Sequence, residues 1–301
     1  MQNTVLCYIE NDGKYLLIHR TKKKNDINKD KWLGIGGHFE KDESPFDCVI
    51  RETKEETGLD IKPKYRGIIT FVSDEYECEQ MHLFTCTDFS GELIECNEGE
   101  LCWVEKTKLR DLNLWQGDYI FLDLIDTPRD FFSLKLVYEK ENLKEFYLDG
   151  KKGKTLLVSA CLLGCPCRYD GVSKPKTEII ALKNKFHLVP VCPEEMGGLP
   201  TPRIPAEIVK DKVLRADGKD VTNEYKLGSE KVLDIAKKNN IKIALLKAKS
   251  PSCGNKTVYD GTFSRTLRQG KGICADLIEK NGIKVYNEEE INELLEKIKE
   301  I

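Results

Sequence analysis

Three glutamates, Glu52, Glu55 and Glu56, stand at i, i+3 and i+4 in the stretch Arg51-Glu52-Thr53-Lys54-Glu55-Glu56-Thr57-Gly58-Leu59. On a helix this spacing projects all three carboxylates from one face, where they repel one another by a few tenths of a kcal/mol per pair. A hard cation that prefers oxygen, Mg²⁺ or Mn²⁺, converts that repulsion into ligation. A solvated acidic helix face is the plain alternative. The second set of chemically able residues is soft. Of twelve cysteines, Cys161, Cys165, Cys167, Cys192, Cys253 and Cys274 follow residue 150. Cys161, Cys192 and Cys253 each stand just past an apolar run that reads as a strand. Three thiolates suit an iron–sulfur cluster better than Mg²⁺ or Ca²⁺. A zinc site of three cysteines and a histidine, with His187 as the histidine, and a set of buried structural thiols are the alternatives. No C-x-x-C is present, and the run C-x₃-C-x-C at 161–167 misses the radical-SAM spacing by one residue.

Elements able to position these groups are legible in the pattern. Ser44 and Pro45 are good cap and first-turn residues and Gly58 a good stop, so a helix over Pro45–Thr57 carries the glutamates. Strand-like runs occur at Val5–Ile9, Tyr15–His19, Gly67–Val72 and His82–Thr87, and a second helical pattern at Asp118–Asp126. After residue 154, strand candidates at Thr155–Ser159, His187–Val191, Lys242–Leu246 and Lys284–Tyr286 alternate with helical stretches at Thr177–Asn184, Ser229–Asn239 and Glu288–Lys299. That alternation implies a mostly parallel sheet covered by helices, whose strand ends share one edge where ligands bind. The polar, glycine-bearing segment 139–154 reads as a hinge. Its place, and a length of 301 residues, give two domains, 1–148 and 153–301.

Composition bounds the rest. With 48 basic and 51 acidic side chains the net charge is −3, which argues against a bulk electrostatic grip on nucleic acid. No apolar run approaches the ~20 residues of a membrane span. Met1-Gln2-Asn3-Thr4 lacks the basic-then-apolar order of a signal peptide, so a cytoplasmic protein is expected, with reduced thiols. The six cysteines of the first half sit singly among apolar residues, as in Leu101-Cys102-Trp103, and read as small buried hydrophobes.

Gly37, five residues, Glu43, seven residues, then Arg51-Glu52-x-x-Glu55-Glu56-x-Gly58-Leu59 resembles the Nudix box at every fixed position, with Thr53 where an aliphatic is common. The resemblance implies a Nudix hydrolase, an α/β/α sandwich whose loop–helix–loop holds a divalent metal against a diphosphate. It places Glu52, Glu55 and Glu56 on the metal, Glu43 at the metal's edge, Arg51 as a brace, and Gly36 and Gly37 under the substrate. Lys31-Trp32-Leu33-Gly34-Ile35-Gly36-Gly37 and Cys102-Trp103-Val104 are similar to the oxidised-purine triphosphatase branch. In that branch a glutamate shortly before the late-strand tryptophan assists catalysis; Glu98 matches. A loop tryptophan there stacks on the base, a role for Trp115, and two adjacent acids read its edge. This chain offers only Gly117-Asp118, which leaves purine selectivity open. Pyrophosphate release from a nucleoside triphosphate is the implied reaction.

Val158-Ser159-Ala160-Cys161-Leu162-Leu163-Gly164, Val189-Pro190-Val191-Cys192-Pro193-Glu194 and Lys249-Ser250-Pro251-Ser252-Cys253-Gly254, with Gly197–Arg203 and Tyr259–Phe263, resemble the thiouracil desulfurase family over about 155–286. The resemblance implies a [4Fe–4S] cluster on Cys161, Cys192 and Cys253, one iron being left open to take sulfur from a thiolated base. Ser250, Ser252 and Glu194 would position substrate or donate protons. Cys165 and Cys167, where the family varies, read as spare thiols or an alternative ligand, and Cys274 as a helical residue away from the strand ends. Arg168 and Arg203 are candidates for an anion or for surface pairing. The reading is thus a nucleotide hydrolase fused to a desulfurase, with nucleotide or nucleobase substrates. A non-catalytic sensor or a structural thiol-rich module stays open for the second half.

Overall fold

Alternate residues of the first strand, β1 (Gln2–Asn11), enter different cores. Val5, Cys7 and Ile9 join one buried cluster, and Leu6 and Tyr8 another. A strand so divided must be covered on both faces. In the computed structural model, which describes residues 1–22 and 26–300, it is. Helix α1 (Pro45–Thr57) sends Cys48 and Val49 into the first cluster, and α2 (Asp118–Ile125) sends Phe121 and Leu124 into the second. Between them lies a mixed sheet formed by β1, β2 (Lys14–His19), β3 (Lys64–Ser73), β4 (Glu79–Cys86), β5 (Glu100–Glu105), β6 (Phe132–Glu139) and β7 (Asn142–Leu148), with two short flanking strands. Its order is β7–β6–β3–β4–β1–β2, with β5 on β2, and β1 runs parallel to β4 as β3 does to β6. The α/β/α sandwich expected for the first half is the observed fold. Cys7, Cys48, Cys86 and Cys96 lie inside the α1-side cluster as small buried hydrophobes, whereas Cys78 and Cys102, expected to be buried as well, are only half-buried.

The segment read as a hinge is a hairpin. β6 and β7 pair antiparallel with Leu136 opposite Phe146 and Tyr138 opposite Leu143, and Lys151–Lys152 adds a further short strand. Phe132, Leu134, Leu136 and Tyr138 alternate inward, a period of two that outweighs the lysines and glutamates between them. The chain divides after Gly153, and each side forms its own compact unit.

In the second unit β8 (Lys154–Ser159), β9 (Phe186–Val191), β10 (Ile243–Leu246) and β11 (Lys284–Asn287) form an all-parallel sheet in the order β9–β8–β10–β11. Helices α3 (Thr222–Lys238) and α4 (Ile273–Lys280) cover one face. The turns of 177–184 and α5 (Ile291–Glu300) cover the other. α3 begins seven residues before the expected Ser229. Gly228 lies within it, and a Cβ there would collide with the Pro193 carbonyl. The glycine lets α3 press against the turn that follows β9. Among the described residues no helix is long and apolar enough to cross a membrane.

Candidate functional site

α1 is locked at both ends by its own sequence. The Ser44 hydroxyl accepts the Asp47 N–H at 3.3 Å, the Asp47 carboxylate accepts the Ser44 N–H at 3.0 Å, and Pro45 opens the first turn. Gly58 closes the helix at φ 77°, donating to the Lys54 carbonyl. Arg51 then acts as a hub. Its Nε and Nη2 donate to the two oxygens of Glu43 at 2.6 and 2.9 Å, and its Nη1 donates to Glu52 at 2.9 Å and Glu55 at 3.1 Å. Nη2 also donates to the His38 carbonyl. Hydrogen bonding to Arg51 holds the Glu43 carboxyl down at about 2. One guanidinium thus holds three carboxylates close together.

The glycines make this approach possible. Residues 34–37 run along β1, with the Cys7 N–H donating to Ile35 at 2.7 Å and the Val5 N–H to Gly37 at 2.9 Å. A side chain on Gly37 would overlap the Glu52 carboxylate, and one on Gly36 the Val5 carbonyl. The Gly36 N–H donates to Glu56 at 3.1 Å. Glu52 and Glu56 therefore face a cleft of about 470 Å³ that Gly36, Gly37 and Arg51 also line, while Glu55 reaches Arg51 from the solvent side with 59% of its side chain exposed. Glu98, just before β5, enters the same cleft and pairs with Arg20, whose Nε donates to Asp26 at 2.8 Å. Thr53 occupies its aliphatic slot fully buried, and its hydroxyl has no hydrogen-bond partner.

The far end of the cleft is aromatic. Trp115 is buried and donates Nε1–H to Asn28 at 2.8 Å, with the Lys31 ammonium 4.6 Å from its ring centre. Asp118 opens α2 and accepts the Trp115 N–H at 3.3 Å; burial pushes its carboxyl up to about 7. Position 117 has no room for a second acid, because a Cβ on Gly117 would overlap Leu136 and stand 2.8 Å from the Tyr138 hydroxyl. That hydroxyl accepts the Gly117 N–H at 2.7 Å. Trp115 and Asp118 thus share one cleft with Glu52 and Glu56, although more than fifty residues of sequence part the two pairs.

The thiols gather at the carboxyl edge of the parallel sheet. β9 lies on one side of β8 and β10 on the other, so the strand order reverses there, which is where the loops after parallel strands receive ligands. Cys161 follows β8 in a single tight turn, Cys192 follows β9, and Cys253 lies in the loop after β10. The Ser250 hydroxyl accepts the N–H groups of Ser252 and Cys253, both at 3.1 Å, and so shapes that loop. Hydrogen bonding to Cys161 pushes the Cys167 thiol up to about 12, hydrogen bonding to Cys167 raises that of Cys192, and burial pushes Cys253 up to about 12. Sγ of Cys167, Sγ of Cys192 and a Glu195 oxygen lie within 4.8 Å of one another. Cys165 is exposed. Ser252 is fully buried beside Cys253. Arg203 is not a surface residue: its guanidinium is buried against Glu194 at 2.6 Å, whereas Arg168 pairs with Asp170 at 2.8 Å. Cys274 is not remote from the strand ends either. Its N–H donates to the Ser252 carbonyl at 3.0 Å, because Gly272 lets α4 start directly on the Cys253 loop. Sequence reasoning underrated Cys167, although the turn made by Gly164 (φ 107°) was a signal that the chain doubles back there.

Similarity to known proteins divides at the same place as the fold. The family model for the NUDIX domain matches residues 1–125, and the model for 2-thiouracil desulfurase matches residues 156–290. An uncharacterised Bacillus subtilis protein, YbbK, is 40% identical over 150 residues, covering 46% of this chain and 99% of its own. The B. subtilis Nudix hydrolase YvcI is 31% identical over 131 residues, covering 42% of this chain and 79% of its own. A solved structure described as a [4Fe-4S]-dependent thiouracil desulfidase, TudS, is 40% identical, covers 49% of this chain and 99% of that one, and gives a TM-score of 0.48. The first unit of this chain belongs to the Nudix hydrolases and the second to the 2-thiouracil desulfurase family, so that two enzyme families are joined in one polypeptide.

Proposed function

We propose that the first unit hydrolyses a nucleoside triphosphate to a monophosphate and pyrophosphate with a divalent cation, Mg²⁺ or Mn²⁺, and that the second removes sulfur from a thiolated nucleobase or nucleotide with a [4Fe–4S] cluster. The observation that carries this reading is the segregation of donors: ionised oxygens around Arg51 in one unit, and soft thiols at a strand edge in the other. Glu52, Glu55 and Glu56 would hold the cation, with Glu43 and Glu98 at its margin. A cation bound there neutralises phosphate charge and lowers the pKa of its water. Arg51 holds Glu52 and Glu55 in place, the backbone of Gly36 and Gly37 keeps the cleft floor low, and Trp115 with Asp118 grips the base. In hydrolysis the water oxygen bonds to phosphorus, the P–O bond to pyrophosphate breaks, and a carboxylate of the cleft takes the proton.

In the second unit Cys161, Cys192 and Cys253 fit the cluster because all three are soft donors delivered by separate strand ends to one sheet edge. Held by three thiolates, such a cluster offers one iron as a Lewis acid toward a thiocarbonyl sulfur. Ser250 orders the Cys253 loop, Ser252 lies beside the thiol, and the Glu194–Arg203 pair borders the substrate's place. Two domains, 1–148 and 153–301, acting on modified nucleotides in a reducing cytoplasm make a joint clearance or salvage task. The test is pyrophosphate release from base-modified triphosphates by anaerobically purified protein. Turnover that resists chelator overturns the first half; a loaded protein that binds a thiolated base and releases no sulfide makes the second unit a sensor.

A further inference from the structure

We propose that Asp26 is a positioning residue of the first unit: it gives Arg20 a second counter-charge, so that Arg20 releases Glu98 to a cation in the cleft. The inference rests on the hydrolase reading above and gives a role to a residue which that reading leaves out. Arg20 follows β2 directly and stands between two carboxylates. Its Nε donates to Asp26 Oδ2 at 2.8 Å, and its Nη1 pairs with Glu98. Side-chain exposure falls from 26% at Glu98 to 12% at Arg20 and 7% at Asp26. Glu98 and Arg20 line the cleft, whereas Asp26 stands behind them.

Asp26 is fixed where it stands. Its Oδ1 accepts the Asn28 N–H at 2.9 Å, and its carbonyl accepts the Lys29 N–H at 3.0 Å. The Asn28 carbonyl accepts the Lys31 N–H at 2.9 Å, which makes a second turn on the first. Both turns are tied back to Arg20, whose N–H donates to the Lys31 carbonyl at 2.9 Å and whose carbonyl accepts the Asp30 N–H at 2.8 Å. The Asn28 side chain is engaged as well, by the Trp115 Nε1–H at 2.8 Å. Backbone and side-chain bonds therefore keep Asp26 beside Arg20 when Glu98 turns away.

The consequence is energetic. A guanidinium this buried is costly to leave without a carboxylate, so a lone partner would be held as firmly as the guanidinium itself. With Asp26 in place, Arg20 keeps one charge-assisted hydrogen bond after Glu98 has left. Arg51 offers the contrast: it spans both oxygens of Glu43 with two hydrogen bonds, and Glu43 is thereby fixed. Glu98 shares its guanidinium with Asp26 and changes partner.

The test compares full-length wild type, Asp26→Ala, Asp26→Asn, Glu98→Gln and the double variant Asp26→Ala/Glu98→Gln. Mn²⁺ affinity is read from the EPR signal of the unbound ion, and turnover from pyrophosphate release with a thiolated nucleoside triphosphate at limiting Mg²⁺. Both should fall about tenfold in Asp26→Ala. They should fall equally in Asp26→Asn, which keeps volume and an acceptor for Arg20 but no charge, and which serves alone should Asp26→Ala fail to fold. In the Glu98→Gln background Asp26→Ala should cost nothing further, because no charged partner is left to release. Wild-type values in Asp26→Asn overturn the counter-charge role. Losses that add in the double variant, or a lower unfolding midpoint with Mn²⁺ affinity and turnover unchanged, make Asp26 a structural residue and overturn it too. A wild type that binds no Mn²⁺ and releases no pyrophosphate overturns the hydrolase reading itself.

Discussion

In the first unit the carboxylates of Glu43, Glu52 and Glu55 are held together by the charge of Arg51, whereas in the second the thiols of Cys161, Cys167 and Cys192 are held by burial and by one another. The difference follows from the donors. Carboxylates are already ionised and repel, so they need a cation of the protein's own to stand close before a metal arrives. Thiols are neutral until a metal displaces their protons, so they can be gathered without a counter-charge. One site is therefore organised by electrostatics on a helix, the other by topology at a sheet's reversal point.

The largest effect that sharpens this contrast is at Glu56. Glu56→Gln removes a ligand charge from the cleft with almost no change of volume and lowers kcat by about a hundredfold or more. Glu55→Gln, on the solvent side of Arg51, lowers it less. Steady-state pyrophosphate release with saturating Mg²⁺ checks both, and equal losses would contradict the geometry. Next is the hub. Arg51→Ala leaves the carboxylates unbraced and weakens divalent-metal binding by about 10–100-fold. Arg51→Lys recovers little of it, since a point charge cannot span Glu43 with two hydrogen bonds. Calorimetric titration with Mn²⁺ reads this loss; no change would mean that the brace is ornamental.

Asp118 gives a smaller effect with a defined sign. Its carboxyl is raised to about 7, so the folded protein holds a proton that the unfolded chain has lost above pH 3.8. Stability from this group is full below that value and falls as pH rises through 7. If Asp118 faces the base as proposed, the same proton makes it a donor below pH 7 and an acceptor above it. KM for the nucleotide should bend near pH 7, and Asp118→Asn should remove both the bend and the loss of stability between pH 3.8 and about 7. The smallest effect lies at Thr53. Thr53→Val replaces a buried hydroxyl that has no partner, and should raise stability by about 1 kcal/mol in denaturant titration without altering kcat.

The carboxylate site was legible because its signals are local. Ser44, Pro45 and Gly58 mark both ends of α1, and the glutamates need only its 3.6-residue period. The thiol site was legible in part, because a parallel sheet brings the ends of β8, β9 and β10 to one edge whatever lies between them. What escaped was contact across the sequence. The hairpin of β6 and β7 was masked by its charged outward residues, and the nearness of Cys274 by a helix that begins on the Cys253 loop. Cys167 escaped for the same reason: its partner Cys192 is 25 residues away in sequence.

The central claim, that one chain carries a hard-metal hydrolase and a thiol-held desulfurase, is tested most directly by one assay. A thiolated nucleoside triphosphate is given to anaerobically loaded wild type and to Cys253→Ser, and pyrophosphate and sulfide are measured in the same sample. The account predicts both products from wild type, and undiminished pyrophosphate with sulfide abolished from Cys253→Ser. A wild type that carries its cluster and releases no sulfide, or sulfide release that survives Cys253→Ser, would contradict it.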